Sequence, residues 1–154
     1  MRCFKEDLSL GVNAEKLILN LIQDKYPCAV RAEGYNLEYD IFVPEVNIKV
    51  EVKSDQQAID TGNFAIEIEQ FGKPSGLMTT KSDFWCLSNG EYIFWVTVSR
   101  LKDLIIWDEL KPLKKIGDGK GRVYLIPVTK IQSIASKIKK VSLSIKPQSD
   151  DEGE

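Results

Sequence analysis

The stretch Ile48-Lys49-Val50-Glu51-Val52-Lys53-Ser54 constrains the fold more than any other part of the chain. Ile48, Val50 and Val52 recur at every second position. That is the period of an extended strand, and β-branched residues favour one. The apolar face of this strand needs a cover, while the other face carries Lys49, Glu51 and Lys53. A strand also needs neighbours. Residues 39–43 form one and end at Pro44, and the turn-like "PEVN" that follows folds the two into a hairpin. Residues 29–33 make a further strand candidate.

The cover comes from residues 11–25. Ala14, Leu17, Ile18, Leu21 and Ile22 follow helical spacing, Asn13 is the expected N-cap and Pro27 follows the end. Residues 63–70 alternate again, with Phe64, Ile66 and Ile68 opposite Glu67 and Glu69. "FGKPSG" (71–76) reads as a loop, and residues 82–98 as a hairpin turning at Asn89–Gly90. A short helix starting at Ser99, a loop "GDGKGR" and a last strand over 123–128 complete the order. Trp85, Trp95 and Trp107 sit in apolar alternation and are expected in the core. The fold class that follows is α/β, a mixed β-sheet flanked by helices.

The chain has 154 residues, one domain's worth. Residues 1–145 are read as that single domain and 146–154 as an acidic, disordered tail. Four carboxylates in "DDEGE" account for the net charge of −2, so the rest is mildly basic and the charge balance names no partner. No apolar run reaches the ~18–20 residues of a membrane span. The N-terminus lacks the apolar region of a secretory signal. Cys3, Cys28 and Cys86 form no CxxC pair, which fits a reducing cytoplasm better than a disulfide or zinc framework. There is no histidine, which excludes Ser-His-Asp and Cys-His catalysis and HExxH zinc sites. No nucleotide cofactor is expected, because no glycine-rich loop with GK[ST] opens a helix.

What remains for chemistry is carboxylates and lysine. Glu51 and Lys53, two apart on a strand, leave the same face. The hairpin brings Asp40 beside Glu51. Two carboxylates at one spot repel each other, and a divalent cation removes that penalty. Mg²⁺, with Mn²⁺ as its substitute, takes a few carboxylate and carbonyl oxygens and keeps waters. Asp40, Glu51 and the Val52 carbonyl are therefore the expected ligands. Lys53 falls beside the metal-bound water, and Glu15 flanks the apolar helix face. Glu67 is a further candidate if its strand pairs beside Glu51. A plain solvated sheet face remains the alternative for this alternating pattern.

The order Glu15, Asp40, Glu51-Val52-Lys53 resembles the PD-(D/E)XK nuclease superfamily, which includes type II restriction enzymes and Holliday-junction resolvases. "TGNFAIEIEQFGKPSGLMTTKSDFW" (61–85) resembles small phage and prophage members. The resemblance implies a restriction-endonuclease-like core and Mg²⁺-dependent hydrolysis of DNA. In that reading Asp40 and Glu51 are metal ligands and Lys53 is the catalytic lysine, with Glu15 completing the site. Structure-specific cutting of branched DNA by a homodimer is the expectation. A catalytically inactive nucleic-acid-binding module of the same fold is the alternative. Lys73, Ser75, Gly76, Thr80 and Lys81 are candidate phosphate contacts, being small or cationic and close to free backbone N–H groups.

Overall fold

The computed structural model describes the backbone of residues 4–33, 38–108, 113–114 and 121–141, and the side chains of 13–33, 38–108 and 121–141. The tail at 146–154 and residues 117–120 of "GDGKGR" lie outside them. The first helix is α1 (Phe4–Gln23), followed by strands β1 (Val30–Arg31), β2 (Ile41–Val43) and β3 (Ile48–Ser54). After a short helix α2 (Gln57–Thr61) come β4 (Asn63–Gln70), β5 (Lys73–Pro74) and a 3-10 turn at Gly76–Met78. The hairpin is β6 (Phe84–Ser88) and β7 (Tyr92–Thr97), and α3 (Val98–Trp107) follows it. The chain then forms β8 (Leu113–Lys114), β9 (Gly121–Pro127), α4 (Val128–Ile134) and β10 (Lys137–Lys140).

These strands make two sheets. The larger has the order β1-β2-β3-β6-β7-β10, and the smaller β5-β4-β9-β8. The larger is mixed, because β3 and β6 run parallel while its other neighbours are antiparallel. The fold is therefore α/β, with a mixed sheet flanked by helices and a second sheet.

The alternation in β3 sorts its two faces. Val50 packs with Ile41, Val43, Cys86 and Ile93 under Ile18 and Ile22 of α1. On the opposite face Trp85, Leu87, Phe94 and Val96 meet Phe64, Ile66 and Ile126 of the second sheet, with Leu101 of α3 and Ile131 of α4. The central sheet is thus buried on both sides, and Glu51 and Lys53 lie on the side of the second sheet. Asn89 shapes the hairpin turn by accepting from the Glu91 and Tyr92 N–H groups, and Gly90 takes a left-handed φ of 94°.

Several boundaries differ from the sequence expectation. α1 begins nine residues before Asn13, so Asn13 lies inside the helix and caps nothing. The helix runs through Gly11, although a helix-interior glycine costs about 1 kcal/mol relative to alanine. The cap of α3 is Thr97, whose Oγ1 accepts from the Arg100 N–H, two residues before the expected Ser99. "FGKPSG" is not loop throughout, because Lys73–Pro74 pairs with β4. The strand over 123–128 is not the last, since α4 and β10 follow it. Trp85 is buried and Trp95 packs beneath α1, but Trp107 is 80% exposed at the end of α3. Helical periodicity turns Leu101 and Ile105 to the core and leaves Trp107 outward.

Ile18 is fully buried in the α1–sheet cluster. Ile18→Ala is expected to cost about 2–5 kcal/mol, measured by urea unfolding, because the helix and sheet can close the resulting cavity only in part.

Candidate functional site

Asp40 stands just before β2, at the edge where β2 and β3 part. Its Oδ2 accepts from the Val52 N–H at 2.7 Å, and its own N–H donates to the Val50 carbonyl at 2.9 Å. Strand N–H groups point within the sheet, so this bond draws the Asp40 carboxylate into the sheet plane. There it is reachable from both faces. Glu15 approaches from α1 on one side, and Glu51 from β3 on the other. A strand residue's N–H and C=O share an edge, so the Val52 carbonyl also faces this spot.

The electrostatics record the convergence. Burial raises the Glu15 pKa above its ordinary value, and a hydrogen bond to Asp40 with the like charge there raises it further. Arg31 opposes this through an ion pair of 2.9 Å. Burial also raises Glu51, Lys53 pulls it back, and the Asp40 charge pushes it up again. Lys53 Nζ lies 3.1 Å from Glu51 Oε1 and 5.5 Å from the centroid of the Trp85 ring, directly beside Glu51 in the β3–β6 register. The Cys86 thiol is pushed well above its ordinary value by burial first and the Asp40 charge second. Three carboxylates therefore share one region with two cations, leaving an excess of negative charge.

Glu15, Asp40, Glu51, Val52 and Lys53 are thus brought together. Among the described residues no group of three or more His, Cys, Asp or Glu side chains is arranged to hold a metal ion. The donor set instead consists of two acidic side chains, Asp40 and Glu51, and the Val52 carbonyl. All its donors are oxygens, and Cys86 stays protonated. Such a set fits a hard divalent cation that retains waters, and it does not fit zinc. Arg31 is the site member the sequence reading missed. Its one signal is position, on a strand edge near the start of the hairpin, which names no partner.

The other candidates are placed less simply. β4 belongs to the second sheet and pairs with β5 and β9, so Glu67 does not meet the condition of pairing beside Glu51. Its carboxylate accepts from Ser75 Oγ at 3.2 Å. Gly76 has φ 54°, and a Cβ there would collide with the Glu67 carbonyl, so its glycine serves close packing. Thr80 Oγ1 accepts from Trp85 Nε1 at 3.2 Å and steadies the ring beneath Lys53. Lys73 and Lys81 are exposed cations on the connection that leads into β6.

No protein-family model, no curated protein and no solved structure matches this chain.

The raised Glu51 makes a pH prediction for the metal-free protein. Above its ordinary value of 4.5, the folded state holds this proton more tightly than the unfolded chain does. This contribution to stability is therefore full below that value and is lost as pH rises through the raised folded pKa. Glu51→Gln is expected to raise the Tm at pH 8 and to flatten the fall in Tm between pH 5 and pH 8. Thermal unfolding in EDTA across that range checks both.

Proposed function

We propose that this chain is a Mg²⁺-dependent endonuclease that hydrolyses phosphodiester bonds of DNA. The observation that carries the reading is the placement of Asp40 in the sheet plane between Glu15 and Glu51, with Lys53 against Glu51. This arrangement destabilises the metal-free protein, and a solvated sheet face has no need of it. Asp40, Glu51 and the Val52 carbonyl are the groups that would hold the ion. Once bound, Mg²⁺ supplies charge neutralisation and Lewis acidity at the phosphate.

The chain's own residues have separable roles. Lys53, half-exposed and supported by the Trp85 face, is placed to orient the attacking water and a phosphate oxygen. Glu15, held by Arg31, keeps a carboxylate on the far side of Asp40, where it would be available to a water of the bound ion. Lys73 and Lys81 offer charge to the DNA backbone, which positions a duplex without reading its sequence. One site cuts one strand, so paired cuts in a branched or duplex substrate call for two copies related by a twofold axis. The reading places the enzyme in the cytoplasm. Among the described residues, no helix is long and apolar enough to cross a membrane.

Purified protein is incubated with supercoiled plasmid and with four-way-junction DNA, in Mg²⁺ or EDTA. Cleavage is expected in Mg²⁺ alone. Asp40→Asn and Glu51→Gln are expected to abolish it, and Lys53→Ala to slow it by about 10²–10³-fold, the usual loss for a single electrostatic stabiliser. Equal cleavage by wild type and Lys53→Ala contradicts the assignment. Binding of DNA without metal and without cleavage identifies an inactive nucleic-acid-binding module instead.

A further inference from the structure

At the opposite end of β3 from Lys53, and on its opposite face, the last turn of α1 overhangs a cavity of about 480 Å³. Leu21, Ile22 and Tyr26 form one wall, and Val43, Val50 and Phe84 lie across from them. The volume lies within the range of pockets that hold small organic ligands.

Two features make this more than an uncovered apolar surface. First, Trp95 lines the cavity, and its Nε1 is buried with no hydrogen-bond partner among the described residues. An indole N–H can only donate, and leaving it unpaired away from water is costly. That N–H has no exposed surface, so it lies behind the cavity wall while the ring itself borders the space. Second, the rim is basic. β10 pairs with β7 so that Lys137 stands opposite Trp95 and Lys139 opposite Ile93. Both lysines thus leave the α1 side of the sheet at the cavity edge, and both line it. Lys25 joins them from the end of α1, and Asp24 is the one acidic group in the lining. A sheet face that continues under a helix ordinarily carries apolar residues there. Instead β10 places cations beside an apolar hollow.

We propose that this cavity binds a small amphipathic carboxylate, its aliphatic or aryl body among Leu21, Ile22 and Phe84 and its head group at the lysine rim. A carboxylate has two acceptor oxygens, enough to meet both Lys137 and Lys139 at the rim. A neutral alcohol of equal length satisfies the apolar wall but leaves the cations unmatched. A cationic amphiphile is repelled. The site is separate from the carboxylate cluster around Asp40, so it stands whether or not that cluster cuts DNA.

The test uses the full-length protein with decanoate, decanol and decyltrimethylammonium, each titrated below its micelle concentration and followed by the three indole N–H resonances in a ¹⁵N-labelled sample. Decanoate is expected to shift the Trp95 resonance, identified by its loss in Trp95→Phe, through contact with the ring, and to bind at least tenfold tighter than decanol. The double variant Lys137→Glu/Lys139→Glu, whose changes are on exposed positions, is expected to keep the wild-type Tm and lose decanoate binding. The proposal is overturned if decanol binds as tightly as decanoate. It is equally overturned if the double variant binds decanoate like the wild type, if the Trp95 resonance stays in place at saturation, or if no decanoate binds. Burial of the cavity by a second copy belongs to that last outcome, and sedimentation reports it as a concentration-dependent dimer.

Discussion

The hydrogen bond from the Val52 N–H to the Asp40 carboxylate is the contact on which the candidate site depends. Without it, Asp40 is an acidic residue before a short edge-side strand, free to turn to solvent. With it, the carboxylate lies in the plane of the central sheet, where β2 and β3 diverge. A helix residue from one face and a strand residue from the other can then reach the same spot. The parallel pairing of β3 with β6 adds the floor, because it sets Trp85 beside Glu51 and under Lys53. Thr80, through its bond to the indole, links the segment before β6 to that floor.

The surrounding fold sustains this concentration of charge. The central sheet has an apolar cluster on each face, one with α1 and one with the second sheet and α3 and α4. Burial that stabilises those clusters is the same burial that raises Glu15 and Glu51. Arg31 and Lys53 offset part of the repulsion at opposite ends of the cluster, and they do so from partly exposed positions. In the proposed function a small hard cation would offset the remainder while leaving the carboxylates ionised. If the cluster is catalytic as proposed, stability and chemistry pull against each other there.

Much of the architecture was legible because period-2 and period-3.6 patterns dominate locally. β3 and β4 have the bounds read from alternation, and the β6–β7 hairpin turns where Asn-Gly marks it. The errors have physical sources. The N-cap character of Asn13 put the start of α1 near it, whereas the helix begins at Phe4 and runs through Gly11. Apolar character alone assigned Trp107 to the core, whereas its helix had already spent its inward positions on Leu101 and Ile105. The second sheet was not foreseen, since nothing in residues 63–70 reveals which strand they pair with. β10 was missed because "KIKK" has one apolar residue and looks like solvated chain. At the site, the spacing of Glu51 and Lys53 and the short hairpin were enough to bring Asp40 near. Arg31 and the Thr80–Trp85 bond depend on contacts between distant segments, which no local pattern encodes.

The central claim is spatial and chemical at once: Asp40, Glu51 and the Val52 carbonyl share one divalent ion. Crystals soaked in Mn²⁺ and measured at the manganese absorption edge test it directly. The account predicts one anomalous peak about 2.0–2.2 Å from an oxygen of each of these three groups, and its disappearance in Asp40→Asn. A fully soaked wild-type crystal with no peak there, or with its peak on other residues, contradicts it.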